Sequence, residues 1–211
     1  MKLFEYPTSS SSLRVRIALN LKGIAYESFC VDLAKDGGEH RQLAFLSINP
    51  QALVPVIESD GRHIAQSLAI LEFLEERYPS PALLPGSSHE RAHLRSLALH
   101  IACEMHPLSS VKTRARLSSE FSLGDIQTRR WALHYLEQGF GQFEAVLGKG
   151  WQAGPFCHGH LPTIADCFLI PQVYNARKMG FDMAHFPRID HIYSACLELD
   201  AFQRAMMPMT G

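Results

Sequence analysis

Between Lys2 and Val31 the chain reads strand, helix, strand, and that order leaves few ways to fold. Lys2-Leu3-Phe4-Glu5-Tyr6 alternates in part and is stopped by Pro7, as a short strand is. A serine run, Ser9 to Ser12, leads into LRVRIALNLKG. There Leu13, Ile17 and Leu21 recur at helical spacing, and Gly23 offers a C-terminal stop. Tyr26 to Val31 reads as a second strand. Two strands joined by a crossover helix of this kind run parallel, because a tight hairpin cannot connect them.

The order continues in the same vein. Lys35-Asp36-Gly37-Gly38 is a loop signal, and Glu39 to Leu46 reads as a short helical segment closed by Asn49-Pro50. Val54 to Glu58 and Arg62 to Ala65 flank Ser59-Asp60-Gly61, a hairpin signature. Gln66-Ser67 precedes the amphipathic LAILEFLEERY, with Ser67 expected as its N-cap. The order βαβ, α, ββα is that of a thioredoxin-like fold. Pro79-Ser80-Pro81 to Pro85-Gly86 reads as a linker. The segments Arg91 to Met105, Gly124 to Leu147, Thr163 to Lys178 and Ile189 to Met206 then carry helical apolar spacing without hairpin signals. The expectation is an α/β thioredoxin-like N-terminal domain over residues 1–80, a linker at 81–86 and an all-α C-terminal domain over 87–211.

Composition narrows the function classes. A net charge of −1 gives no general attraction to nucleic acid or to an anionic membrane, so neither is expected as a partner. No stretch of about 18 apolar residues is present to span a bilayer, and the first residues lack a secretory apolar core, which points to the cytoplasm. The five cysteines are scattered without a CxxC pair, and buried, reduced thiols are expected. His158-Gly-His160 stands without a matching acid or cysteine cluster, so no metal site is expected.

Three places in the first domain can bind an anion or a peptide. The serine run opens a helix, where side-chain oxygens, exposed N–H groups and the positive end of the dipole favour negative charge; simple capping is the alternative. Val54-Pro55 puts a residue without an N–H at the start of an inner strand. A cis bond there leaves the preceding N–H and C=O to pair with an extended peptide, while an edge-strand proline is the alternative. Gln66-Ser67 opens a further helix and suits a carboxylate, or serves as a cap alone. In a thioredoxin-like fold the strand-to-helix turn carries a reactive thiol. This chain has no CxxC there, so a ligand has to bring one.

Ser9-Ser10-Ser11-Ser12-Leu13-Arg14-Val15-Arg16-Ile17-Ala18-Leu19 resembles the helix-start signature of zeta-class glutathione transferases, the class of the maleylacetoacetate and maleylpyruvate isomerases. Lys35-Asp36-Gly37-Gly38, Asn49-Pro50, Leu53-Val54-Pro55, Gln66-Ser67-Leu68-Ala69-Ile70, Thr163-Ile164-Ala165-Asp166 and Pro171-Gln172-Val173 are similar as well. The resemblance implies glutathione as cofactor, a small-molecule second substrate and a homodimer. It implies that Ser9, beside Ser10 and Ser11, activates the sulfur, that Val54 pairs with the cysteinyl unit before a cis Pro55, and that Gln66 and Ser67 hold the γ-glutamyl carboxylate. Arg14, His40 and His106 join the glutathione-binding set. Thr8, His106, Lys112, Arg177 and Lys178 are candidates for the substrate, with Arg114 as a further cation.

Three departures from the resembled pattern stand out. Ser11 occupies a position that is Cys in the fullest signatures. Thr8 replaces an Arg, and Lys178 aligns with an Arg thought to meet a substrate carboxylate. The activity implied is glutathione-dependent cis–trans isomerisation of a maleyl keto acid by reversible thiolate addition. The alternatives are a general transferase or dehalogenase, and a non-catalytic glutathione-binding protein. Thr163 and Asp166 are expected to form a capping box.

Overall fold

The computed structural model describes residues 1–150 and 153–207. Contacts divide the chain into two compact units, Met1–Leu83 together with the chain from Glu198 onward, and Leu84–Leu197. This division differs from a break at 81–86 with everything beyond it in one helical domain.

In the first unit β1 (Lys2–Glu5), α1 (Ser10–Leu21) and β2 (Glu27–Cys30) form the βαβ element. A 3-10 turn (Glu39–Arg41) and α2 (Leu43–Leu46) take the place of the single segment expected over 39–46, and a further 3-10 turn (Lys35–Gly37) lies in the loop before them. The hairpin β3 (Val56–Ser59) and β4 (Arg62–Ala65) then leads into α3 (Ser67–Arg77). The sheet order is β2-β1-β3-β4, parallel for β1 with β2 and antiparallel elsewhere. Asp60 (φ 52°) and Gly61 (φ 72°) both adopt left-handed backbone, the geometry a two-residue hairpin needs to match strand twist.

Helix α1 is the centre of this unit. It is buried from Ser12 through Leu19, so its apolar stripe understates its enclosure, and Arg14 and Arg16 are only 2% and 5% exposed. Its C-terminal neighbour Lys22 has a fully buried side chain. All three of its donors are used, on Glu75 Oε2 (2.8 Å), Tyr78 O (2.6 Å) and Pro81 O (2.8 Å). Glu75 Oε2 also accepts the Leu83 N–H at 2.9 Å, which ties the expected linker down to the first unit as far as Leu83. The segment expected as one helix over 189–206 is two, α9 (Pro187–Leu197) and α10 (Asp200–Met206). α10 packs on α1, with Asn20 Nδ2 donating to Ala201 O at 2.9 Å, and so α10 belongs to the first unit.

The second unit is helical. α4 (Ser88–Leu99) runs through a wide π turn (His100–Met105) into α5 (His106–Ser109), followed by α6 (Val111–Phe121), α7 (Asp125–Leu147), α8 (Ile164–Lys178) and α9. Pro107 explains the wide turn. It has no N–H, its ring crowds the carbonyl four residues back, and the His106 N–H bonds to Ile101 O five residues back. Gly139 of α7 permits close approach here, because a Cβ at that position would collide with the Met105 side chain. Phe140, Phe143 and Phe168 are enclosed in the core.

Candidate active site

The turn from β1 into α1 is built from hydrogen bonds to both faces of the chain. The Ser9 N–H donates to Tyr6 O at 3.0 Å, closing a tight turn with Pro7 at the position whose φ proline pre-sets. Ser9 is the extended N-cap of α1. Its Oγ accepts the Ser12 N–H at 3.3 Å, and its carbonyl accepts the Leu13 N–H at 2.9 Å. A hydroxyl that accepts in this way still has its proton to donate. Ser10 and Ser12 are buried, and Ser12 Oγ accepts the Tyr6 N–H at 3.3 Å. Ser9 and Ser11 remain half-buried and Thr8 exposed, and the Ser11 N–H has no partner among the described residues.

The sheet register gathers the other candidates. Phe4 pairs with Val56 and Val56 with Ala65, so these three residues form one row across the sheet. The segments leaving that row, toward Ser9, Val54-Pro55 and Gln66-Ser67, therefore lie at one end. The Val54-Pro55 bond is cis, and neither the N–H nor the C=O of half-buried Val54 has a partner among the described residues. Asn49 shapes the preceding loop by donating to Leu53 O at 2.8 Å and accepting the Gln51 N–H at 3.1 Å.

Gln66 sits at φ 71°, a strained setting for a side-chain-bearing residue, and its Nε2 donates to Gln51 Oε1 at 2.7 Å. The expected N-cap role of Ser67 is corrected. Gln66 occupies the cap position without a side-chain capping bond, and Ser67 is the first helical residue. Ser67 Oγ instead accepts from Arg14 Nη1 at 3.2 Å, which brings a buried guanidinium to the N-terminus of α3. A cation and a helix N-terminus together suit a carboxylate. His40 lies in the 3-10 turn Glu39–Arg41, its ring packed where a Cβ on Gly38 would stand.

The remaining candidates belong to the second unit. His106 is half-buried at the start of α5, behind the π turn. Lys112 is exposed on α6, and Arg114 is half-buried there. At the end of α8, Arg177 is ion-paired with Asp190 and stacked over Tyr193 at 4.5 Å, whereas Lys178 lies over Tyr174 at 4.4 Å. The two adjacent cations are therefore unequal: a carboxylate already engages Arg177.

Sequence reading missed two buried polar networks. Glu5, fully buried, accepts from Arg16 Nη1 at 2.8 Å and from Ser28 Oγ at 2.6 Å. Burial pushes the Glu5 carboxyl above its usual range, against the pull of Arg16 and Ser28. The available signal was two arginines spaced within an otherwise apolar helix. Asp166, also fully buried, does form the expected box with Thr163, accepting its N–H (2.7 Å) and O–H (2.8 Å). It also takes the Cys157 N–H at 2.8 Å, which spacing along the chain could not reveal. Burial raises the Asp166 carboxyl despite these bonds, and pushes the neighbouring Cys157 thiol well up, the wrong direction for a reactive thiolate.

A thioredoxin-like sheet with a cis-proline and a capped serine turn, followed by a helical unit, is the architecture of the glutathione S-transferases, the class to which the chain's similarities assign it. A family model described as the glutathione S-transferase N-terminal domain matches residues 8–77. Over 205 residues the chain is 41% identical to a maleylpyruvate isomerase from Ralstonia sp, covering 97% of this chain and 96% of the relative. The chain belongs to the zeta-class family of maleylacetoacetate and maleylpyruvate isomerases. Among solved structures, a holo zeta-class maleylpyruvate isomerase is similar with a TM-score of 0.95 at 40% identity, covering 100% of both chains. A maleylacetoacetate isomerase from Methylobacterium extorquens AM1, solved with malonate and glutathione, has a TM-score of 0.93 at 37% identity, covering 99% of this chain and 98% of that one.

Proposed function

We propose that the protein is a glutathione-dependent cis–trans isomerase of a maleyl keto acid, with Ser9 as the residue that activates the thiol. The observation that carries this reading is the Ser9 hydroxyl, which caps α1 with a lone pair and keeps its proton to donate. When bound, glutathione supplies a thiolate that adds reversibly to the cis double bond and leaves again after rotation, so the cofactor is not consumed.

The residues present fit that tripeptide. Ser9 O–H and the first turn of α1 stabilise negative charge on a sulfur, which at a free-thiol pKa near about 8.5 is mostly protonated at neutral pH. Ser10 and Ser11 complete this turn. Val54 offers an unpaired N–H and C=O to an extended backbone. Gln66, Ser67 and Arg14 suit an α-carboxylate, and the resemblance adds His40, in the 3-10 turn Glu39–Arg41. Lys178 is the better of the adjacent α8 cations for a substrate carboxylate because Asp190 already holds Arg177. The family resemblance adds Thr8, His106 and Lys112 as further substrate candidates, with Arg114 as a further cation.

A cytoplasmic homodimer is the form the family resemblance favours, testable by sedimentation of the purified chain. The general transferase reading keeps one specific support, since exposed, uncharged Thr8 supplies no cation for a diacid. Isomerisation of maleylacetoacetate and maleylpyruvate, measured with and without glutathione, separates the two. Conjugation of an electrophile without isomerisation of either diacid would favour the transferase.

A further inference from the structure

We propose that Glu5 and Arg16 are positioning residues for thiol activation, holding the Tyr6–Ser9 turn so that the Ser9 hydroxyl is aimed at the sulfur. The inference rests on the reading of Ser9 given above and adds to it two buried residues, one on β1 and one on α1.

A carboxylate and a guanidinium are buried together, and such a pair stabilises a fold little, because desolvation consumes most of its attraction. Its geometry shows what it does hold. Arg16 forks: Nη1 donates to Glu5 Oε2 at 2.8 Å, and Nη2 donates to Pro7 O at 2.9 Å. Pro7 O belongs to the turn that ends in the Ser9 N–H. Glu5 is itself fixed at three points, by Ser28 Oγ at 2.6 Å, by Arg16 and by its own carbonyl accepting the Val31 N–H at 2.7 Å. From the other side Ser12 Oγ takes the Tyr6 N–H. The backbone between Glu5 and Ser12 is thereby tied to β1, to β2 and to α1, leaving the Ser9 hydroxyl little freedom except rotation about its own side-chain bonds.

Changing either residue loosens the hold on the same carbonyl. Glu5→Gln leaves the buried guanidinium without a counter-charge and removes the anionic partner that fixes one arm of the fork, so its other arm is no longer held in register with Pro7 O. Lys at position 16 keeps the charge but is a single point donor without the fork that reaches two acceptors. Loss of aim therefore acts in one direction for both. Electrostatics alone acts in opposite directions or not at all, since deleting the negative charge of Glu5 would favour a nearby thiolate.

The test is ultraviolet titration of the thiolate of glutathione bound to wild type, Glu5→Gln, Arg16→Lys and Ser9→Ala. Each of the first two variants is also combined with Ser9→Ala. Glu5→Gln and Arg16→Lys should each raise the bound-thiol pKa by about half a unit to one unit, a roughly threefold to tenfold loss of thiolate at neutral pH. Neither should shift it further once Ser9 is Ala, because pairs acting through one group are not additive. A lowered pKa in Glu5→Gln, or a full additional shift on the Ser9→Ala background, would overturn the proposal. So would a loss of melting temperature with an unmoved thiol. A Ser9→Ala variant whose thiol pKa is itself unmoved would overturn the Ser9 reading, a separate result that takes the positioning role with it. Should Glu5→Gln fail to fold, Ser28→Ala removes only one tie to Glu5 and should give a smaller shift of the same sign.

Discussion

Asp166→Ala should unfold the protein earlier while sparing its chemistry. The side chain accepts three hydrogen bonds, from the Thr163 N–H and O–H and from the Cys157 N–H. Truncation leaves two buried backbone donors without partners, each costing about 1–3 kcal/mol. The carboxylate's own burial offsets part of that loss, since burial already pushes its proton affinity upward. The net expectation is about 2–4 kcal/mol, or about 4–16 °C in melting temperature for a chain of this size. The offset also sets a pH trend. A carboxyl whose folded value is raised contributes stability that is fully present below the unfolded value and is lost as pH rises through the folded one. The deficit of Asp166→Ala relative to wild type should therefore be larger in mild acid than at neutral pH. Calorimetric melts at both pH values, with activity assayed well below either melt, check this. A variant that melts like wild type yet has lost activity would refute the structural role and move Asp166 into the active site.

Ser9→Ala should lower turnover by about tenfold to a hundredfold with a smaller change in glutathione affinity, because a hydrogen bond to a charged group contributes about 1.5–3 kcal/mol. Normal turnover in Ser9→Ala beside a dead Ser11→Ala would shift the role along the run. Thr8→Arg should lower KM for the diacid and leave glutathione affinity nearly unchanged, since it supplies a bidentate donor beside an exposed position. Lys178→Met should raise KM for the diacid more than Arg177→Met does, because Asp190 already occupies Arg177; the reverse order in steady-state kinetics would exchange their roles.

What the sequence made legible was local. Strand alternation, Gly23, Asp60-Gly61 and the serine run each act over a few residues, and the βαβ and hairpin order followed from them. The capping box of Thr163 and Asp166 was legible for the same reason. What escaped depends on contacts far apart along the chain. Ser67 looked like a cap because serine commonly is one, but Arg14, distant in sequence, claims its hydroxyl. The return of α10 to α1 could not be read from helical spacing, which reports a buried face and not the partner that buries it. The partial alternation of β1 did not reveal that Glu5 lies on its buried face with Leu3, enclosed by Arg16 and Ser28. Pro107 was visible, yet the wide turn it forces before His106 was not inferred.

The most direct test of the central claim is the isomerisation of maleylacetoacetate and maleylpyruvate by purified protein, followed with glutathione added, omitted and restored. Trans product should form from at least one diacid only when glutathione is present, with glutathione recovered in full at completion. Isomerisation that proceeds equally without it, or stoichiometric consumption of glutathione, would contradict the account.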